Sequence, residues 1–297
     1  MKHLRPLNYV LEVARSGSIR RAAERLNLTP SALTRQIQDM EFELGTPLFE
    51  RLATGMRLNA AGELLVRHIR DRNADLERVR SQIADLSGVR RGHIGLACSQ
   101  AFVTRLIPEE AEIYRTKFPQ VGFSVQVRDY GQAIAALSTF EADLALVLQP
   151  PPSAELHILY AGRQPIHAYM RAEHPLAAGT GPIRLRDCLS YALALPDASL
   201  AIRHHIAHAF GRRGFDLMTA VESSSYEFLR NLALRQDLVG LQVEIGIPQD
   251  ERLRSRPIDP ADLEPMTMVL AQLRGRLLSV AAAKFADQLA NRLNQDP

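Results

Sequence analysis

Residues 16–66 read SGSIRRAAERLNLTPSALTRQIQDMEFELGTPLFERLATGMRLNAAGELLV, and their spacing decides the N-terminal fold. Ile19, Ala22, Ala23 and Leu26 fall at i, i+3, i+4 and i+7, the apolar stripe of an amphipathic helix. Leu7, Val10, Leu11 and Ala14 show the same spacing upstream of Gly17-Ser18. After Leu26 comes Asn27-Leu28-Thr29-Pro30. Thr29 suits an N-cap, and Pro30 suits the first helical position, where a missing N–H costs no hydrogen bond. A third stripe, Leu33, Ile37, Met40 and Leu44, ends at Gly45 and Pro47. Two helices joined by a three-residue turn make a helix-turn-helix.

The third helix also has an outer face. At about 100° per residue, Ser31, Arg35 and Gln38 lie opposite the Leu33–Ile37–Met40 stripe, with Thr34 at its flank. A hydroxyl, a guanidinium and an amide on one face suit hydrogen bonds to base edges in a DNA major groove. Any amphipathic helix is polar outside, so this face alone leaves two readings open. The next segment favours the first. Leu48-Phe49-Glu50-Arg51 and Thr54-Gly55-Met56-Arg57-Leu58 pattern as strand, glycine turn and strand. A wing carrying Arg51 and Arg57 would grip phosphates or a minor groove.

Ala22-Ala23, Leu26, the Ala32–Ile37 run, Leu44-Gly45, Pro47-Leu48-Phe49, Arg51 and Ala61-Gly62 occur in that order. With them, residues 16–66 resemble the N-terminal domain of LysR-type transcriptional regulators, a bacterial family. The resemblance implies a winged helix-turn-helix whose third helix reads DNA, with Ser31, Thr34 and Arg35 at the family's contact positions. Three residues depart from its pattern. Pro30 stands where many members have Gln, which removes one common base contact. Asn59 replaces the usual Thr, although either can cap a helix. Phe42 occupies an outward position that is normally polar; it either packs on the following helix or stands exposed.

Ala60 to Ser87 contains no proline, and its one glycine, Gly62, falls in the first turn. Leu65, Ile69, Arg72, Leu76, Val79, Ile83 and Leu86 alternate at spacings of four and three, a heptad seam with one arginine in it. Such a helix packs either on its own domain or on a partner helix; the strict 3.5 period favours the partner. The resemblance implies that this helix makes a dimer, so a two-fold symmetric operator is expected. Ser87-Gly88 and Arg90-Arg91-Gly92 read as helix end and hinge.

From residue 92 strands and helices alternate. Ile94–Ala97, the alternating Val121, Phe123, Val125 and Val127, and the apolar run 143–148 are separated by helical stretches from Ala101 and Gln132. This is βαβαβ, an open parallel sheet with crossover helices. Ligands bind such sheets beyond the strands' carboxyl ends, where Cys98-Ser99-Gln100 lies. Further strands are expected at 166–170, 193–195, 238–241 and 266–271, with a closing helix at 277–293. The resemblance continues more weakly through EADLALV, HPLA and the helix holding Phe285. It implies two lobes like a periplasmic binding protein, crossed near residues 162 and 267, with Ser99, Gln132 and Ser199 at effector positions. Gln100 joins this set because it adjoins Ser99. Ser99 has a second reading, as the cap of its own helix.

The chain is 297 residues long, 46% hydrophobic and 23% charged, an ordinary globular composition. Residues 1–91 carry 16 Arg/Lys against 11 Asp/Glu, and the remainder carries 20 against 22. A basic third on a slightly acidic body points to a polyanion partner at the N-terminal end. The apolar runs fall far short of the roughly 18 residues of a membrane span. Glu12 and Arg15 interrupt what would be a signal peptide, and two cysteines fit a reducing cytosol. The phosphate-loop, nucleophile-elbow and His-Glu-x-x-His motifs are missing from the sequence. His204, His205 and His208 form the best metal-like cluster, but Arg203, Arg212 and Arg213 beside them disfavour a cation. Cys98 and Cys188 read as small buried residues or as a redox pair.

The expectation is therefore an α+β and α/β multidomain chain. It has a winged helix-turn-helix (1–59), a linker and dimerisation helix with hinge (60–91), and an effector domain (92–297). Lobe I would comprise 92–162 and 268–297, and lobe II 163–267. The expected function is a cytoplasmic, homo-oligomeric, sequence-specific DNA-binding transcription regulator, not an enzyme, with no cofactor and no metal. A small effector, expected to be a carboxylate, would bind between the lobes. Expected partners are double-stranded DNA with an interrupted palindrome, RNA polymerase and further copies of the chain, with tetramers implied by the resemblance alone. The alternative is a solute-binding protein or enzyme whose N-terminal module serves only oligomerisation.

Overall fold

A computed structural model describes residues 5–52, 55–86, 91–212 and 219–295. The chain divides into two units, residues 1–77 and 78–297. The first holds α1 (Arg5–Ser16), α2 (Ile19–Leu26), α3 (Pro30–Leu44), the hairpin strands β1 (Phe49–Leu52) and β2 (Gly55–Leu58), and the start of α4 (Ala60–Leu86). Local chemistry sets these boundaries. Ser18 caps α2, and Asn27 closes it in the left-handed conformation at φ 54°. Thr29 accepts the Ala32 N–H at 3.2 Å at the start of α3, and Gly45 ends that helix at φ 69°. Asn59 accepts the Gly62 N–H at 2.9 Å and donates to the Pro47 carbonyl at 2.8 Å. The departure from Thr therefore gives a working cap that also ties α4 to the loop before the wing.

Val10, Val13, Ala22, Ala23, Leu33, Ile37, Leu48 and Phe49 form the core of this unit, joined by Val66 and Ile69 of α4. Two details differ from the apolar stripes of the sequence. Val13 is buried more deeply than Ala14, a small rotation of α1, and Leu44 is left half exposed where α3 runs out at Gly45. Phe42 is 88% exposed, which decides between its two readings. In α4 the first half packs on its own unit, whereas Val79 and Ile83 further along the seam are 40% and 59% exposed. Arg72 is exposed as well. At 27 residues the helix extends about 40 Å. Ser87, Gly88 and Arg90 lie outside the described residues.

The second unit contains two five-stranded sheets. Its elements begin with β3 (Gly92–Cys98), α5 (Leu106–Lys117), β4 (Val121–Val127), α6 (Tyr130–Ser138), β5 (Leu144–Leu148), β6 (Leu156–Gln164) and β7 (Ile166–Arg171). They continue through α7 (Leu185–Cys188), β8 (Ala192–Pro196), α8 (Ala201–Arg212), β9 (Val221–Ser223) and α9 (Tyr226–Ala233). The last are β10 (Leu238–Val243), β11 (Leu253–Pro257), β12 (Met266–Leu273) and α10 (Val280–Gln295). Lobe I has strand order β4-β3-β5-β12-β6, and lobe II β11-β7-β10-β8-β9.

The expected βαβαβ unit is parallel, and each sheet adds antiparallel strands to its parallel set. β3, β4 and β5 run parallel, as do β8, β9 and β10, but β12 and β6 pair antiparallel in lobe I, and β7 and β11 in lobe II. Parallel neighbours need a crossover helix between them. The chain instead passes straight from β6 of one sheet into β7 of the other, and it returns through β12. Gln164 pairs with Met266, so the chain leaves lobe I at Pro165 and re-enters just before Met266, where crossings near 162 and 267 were expected. Tyr114, Phe123 and Phe285 pack edge to face in lobe I, Phe118 lies tilted against Tyr114, and the Tyr114 hydroxyl donates to the Ala281 carbonyl at 2.9 Å. Among the described residues no helix is long and apolar enough to cross a membrane.

In lobe II, His174 is buried beside Tyr191. Its Nδ1 accepts the Leu176 N–H at 3.1 Å, so Nε2 carries the proton, yet Nε2 is buried with no acceptor among the described residues. Burial holds its pKa below the ordinary 6.5, against the pull of Asp237 and alongside the repulsion of Arg171. The unfolded chain then binds the proton more readily than the folded one. Stability contributed by neutral His174 is present above 6.5 and falls as pH drops through that value towards the folded pKa. We expect a lower denaturant midpoint at about pH 5.5 than at 7.5, with a smaller difference in His174→Asn. Equal pH dependence in the two proteins would show that other groups dominate.

Candidate nucleic-acid interface and effector cleft

Ser31, Arg35 and Gln38 are exposed on α3, and Thr34 is half-buried at their flank. The opposite face is fixed by buried Leu33 and Ile37. The hydroxyls are partly engaged. Thr34 Oγ1 donates to the Pro30 carbonyl at 2.8 Å, which leaves it an acceptor towards any base, and Ser31 lies 3.2 Å from the Thr29 hydroxyl. Arg35 and Gln38 are therefore the main donors of this face. In the wing, Glu50 stands opposite Arg57, and their side chains form an exposed ion pair at 2.8 Å. Arg51 lies in β1 opposite Met56, but its side chain falls outside the described residues.

In the second unit a cavity of about 740 Å³ opens between the lobes. Its lining comes from the ends of the parallel strands of both sheets: Ser99 and Gln100 after β3, Arg128 and Gln132 after β4, Ser199 after β8, and Ser224 after β9. Ligands reach open α/β sheets at this edge. All four residues expected at the effector site, Ser99, Gln100, Gln132 and Ser199, line this cavity.

Their geometry assigns them different capacities. Ser99 makes no side-chain cap to the short turn it precedes, so its capping reading fails. Its N–H is taken by the Leu146 carbonyl at 2.9 Å. Gln100 Oε1 accepts the Tyr226 N–H at 3.0 Å, a direct bond from lobe I to lobe II. Gln132 is exposed at the start of α6, where its N–H donates to the capping Asp129. The hydroxyl and N–H of Ser199 both donate to Asp197 Oδ1, so towards a ligand its hydroxyl can only accept.

Sequence reasoning missed Arg128, the one arginine or lysine among the described residues lining this cleft, whose backbone N–H bonds the Cys98 carbonyl at 2.9 Å. The available signal was a basic residue directly after an apolar strand. His204 and His205 also line the cavity, but each Nε2 already lies against a backbone carbonyl, at 3.0 Å and 2.7 Å. Cys98 and Cys188 are both buried, and burial pushes each thiol up to about 12, leaving almost no reactive thiolate at neutral pH.

A winged helix-turn-helix joined by a long helix to a two-lobed domain with a cleft defines a ligand-responsive DNA-binding protein. Comparison with known proteins narrows the class. A model described as "LysR substrate binding domain" matches residues 87–294, and one described as "Bacterial regulatory helix-turn-helix protein, lysR family" matches residues 4–63. The chain belongs to the LysR family of transcription regulators. It is 27% identical over 288 residues to the RuBisCO operon transcriptional regulator of Allochromatium vinosum, covering 96% of this chain and 94% of the relative. It is 34% identical over 177 residues to the HTH-type transcriptional regulator CbbR of Sinorhizobium medicae, covering 59% and 55%.

Among solved structures, a full-length OxyR variant from Pseudomonas aeruginosa shares the fold at a TM-score of 0.70 and 20% identity, covering 98% of this chain and 94% of that one. Full-length CbnR complexed with its target DNA does so at 0.67 and 17%, covering 97% and 98%. Those two solved structures show the fold; the family matches and the two sequence relatives, both transcription regulators, replace the enzyme reading with a DNA-binding regulator that has an effector domain.

Proposed function

We propose that this regulator binds an interrupted palindrome as a dimer held by the exposed half of α4, with Ser31, Thr34, Arg35 and Gln38 at base edges and Arg51 and Arg57 on the backbone. Two dimers pair into a tetramer, and the DNA-bound assembly touches RNA polymerase. The effector is a small carboxylate held in the cleft by Arg128 and the Ser99 hydroxyl, with Gln100, Gln132 and Ser199 around it. The observation that carries this reading is convergence. One cation and several polar side chains meet at the carboxyl edges of both sheets, in a cavity of ligand size. Effector binding shifts the angle between the lobes and so the spacing of the DNA-reading heads.

The test is selection of genomic fragments by the purified full chain at about 150 mM salt, which suppresses non-specific phosphate binding. We expect enrichment of one short interrupted palindrome, with a footprint that changes when the right carboxylate is added. Uniform recovery of all fragments would overturn the operator reading. A footprint unmoved by any carboxylate, but moved by an uncharged metabolite, would overturn the effector class.

A further inference from the structure

Away from the cleft, a second cavity of about 230 Å³ lies where the chain passes between the lobes. It is walled by the first turn of α5, the Gln164–Pro165 crossing, the turn after β10 and the last turn of α10. Gln164 is only 4% exposed and lines this cavity, yet no described residue hydrogen-bonds its side chain. Its carboxamide carries two donors and an acceptor and opens onto the cavity, where water or an occupant can reach it. An occupant of the cavity would find those groups unpaired.

The charges on the walls indicate what kind of occupant. Arg105 is loosely held, with Nη1 3.5 Å from the Ile247 carbonyl and Nε 3.9 Å from Glu109, both at the far limit for such contacts. On the lobe II wall, the Glu244 carboxylate is largely exposed and lies 3.5 Å from His167 Nε2. Arg292 already reaches buried Glu110 at 3.6 Å. The lining thus holds one loosely held cation and one loosely held anion, together with Glu109 and Arg292, and Leu106, Ile245 and Leu293 supply its apolar wall. The first turn of α5 has no side-chain cap; Pro108 has no N–H and the Glu109 N–H bonds the Arg105 carbonyl, so the N–H groups open there are those of Leu106 and Ile107.

We propose that this cavity is a second ligand site, specific for a small zwitterion with an aliphatic side chain, the chemistry of a free amino acid. Its carboxylate pairs with Arg105 and the uncapped turn of α5. Its ammonium meets Glu244 and the Gln164 carbonyl, and its side chain lies on the three apolar residues. The cavity is smaller than the roughly 300–1,000 Å³ typical of drug-sized ligands, which suits a molecule of this scale. Gln164 belongs to lobe I and Glu244 to lobe II, so occupancy favours one angle between them. Any ligand of the main cleft that prefers an angle is then coupled to this site, equally in both directions. The proposal goes beyond the cleft reading and does not depend on it.

The test is calorimetric titration of the full chain with L-leucine, L-isoleucine, L-valine and L-methionine. Two leucine analogues are titrated beside them: 4-methylpentanoate, which lacks the amine, and 3-methylbutylamine, which lacks the carboxylate. We expect at least one amino acid to bind, with each of its truncated analogues at least tenfold weaker. Gln164→Leu and Arg105→Gln are expected to abolish the heat, while Arg128→Gln in the main cleft retains it. Should Gln164→Leu fail to fold, Arg105→Gln gives the same readout from a more exposed side chain. Silence from all four amino acids overturns the proposal. So does equal binding of 4-methylpentanoate, or binding lost in Arg128→Gln and kept in Arg105→Gln, which would place the ligand in the main cleft.

Discussion

Arg35→Ala is expected to lower affinity for the operator roughly ten- to a hundredfold, about 1–3 kcal/mol, while affinity for random duplex changes little. The argument rests on where the side chain stands. Leu33 and Ile37 are locked in the core and fix the rotation of α3, which turns Arg35 outward. Thr34 returns its proton to the helix backbone, so Arg35 supplies most of the donor capacity of that face. Arg57 offers a contrast, because Glu50 already holds it at 2.8 Å. Arg57→Ala is expected to weaken all DNA evenly and modestly, lowering the slope of log affinity on log salt by about one. Anisotropy titrations of operator and scrambled duplex over a salt series separate the two roles. If Arg35→Ala lost the same affinity on both duplexes, its place would be on the backbone.

Gly62→Ala is expected to destabilise the N-terminal unit even though alanine is the better helix former. A Cβ at Gly62 would lie 2.1 Å from the Leu48 carbonyl oxygen and 2.8 Å from Leu58 Cδ2. That carbonyl cannot easily move, since it accepts the Asn59 N–H at 3.0 Å while the Leu48 N–H is held by Glu41 at 2.7 Å. Relief requires α4 to back away from the wing, which breaks the Asn59 cap. Overpacking of this kind costs about 1–3 kcal/mol or more, against a gain in helix propensity of about 1 kcal/mol. The net loss should lower the melting temperature of this unit by several degrees, at about 4–8 °C per kcal/mol for a small domain. An unchanged or higher melting temperature would show that the wing yields without loss.

The N-terminal unit was legible in the sequence because its signals are local. Thr29-Pro30, Gly45 and the three apolar stripes each act within a few residues, and only a small rotation at Val13 and the exposure of Leu44 escaped. In the second unit β3, β5 and β10 were legible because the centre of a sheet is apolar on both faces. β6 and β11 were not. They lie at sheet edges and carry His157, Arg163, Arg254 and Arg256, so their apolar pattern is thin. The cleft was legible in part. Ser99, Gln100, Gln132 and Ser199 line one cavity, whereas finding Tyr226 required knowing which strand ends share an edge. The bond between Gln100 and Tyr226 joins residues 126 apart in sequence, which no local spacing encodes.

The pairing of β6 with β12 has a mechanical consequence. Both strands leave lobe I at a single rung, Gln164 opposite Met266. Gln149 braces that point, exchanging hydrogen bonds with Thr267 from its backbone at 2.7 Å and its side chain at 2.6 Å. Two straps pinned side by side resist stretching and sliding but leave one soft turn, like a door hung on adjacent pins. The mouth of the cleft then travels far for a small swing, while the small cavity beside the pins hardly changes width. A molecule in the mouth senses the swing as distance, and one at the pins senses it as tilt.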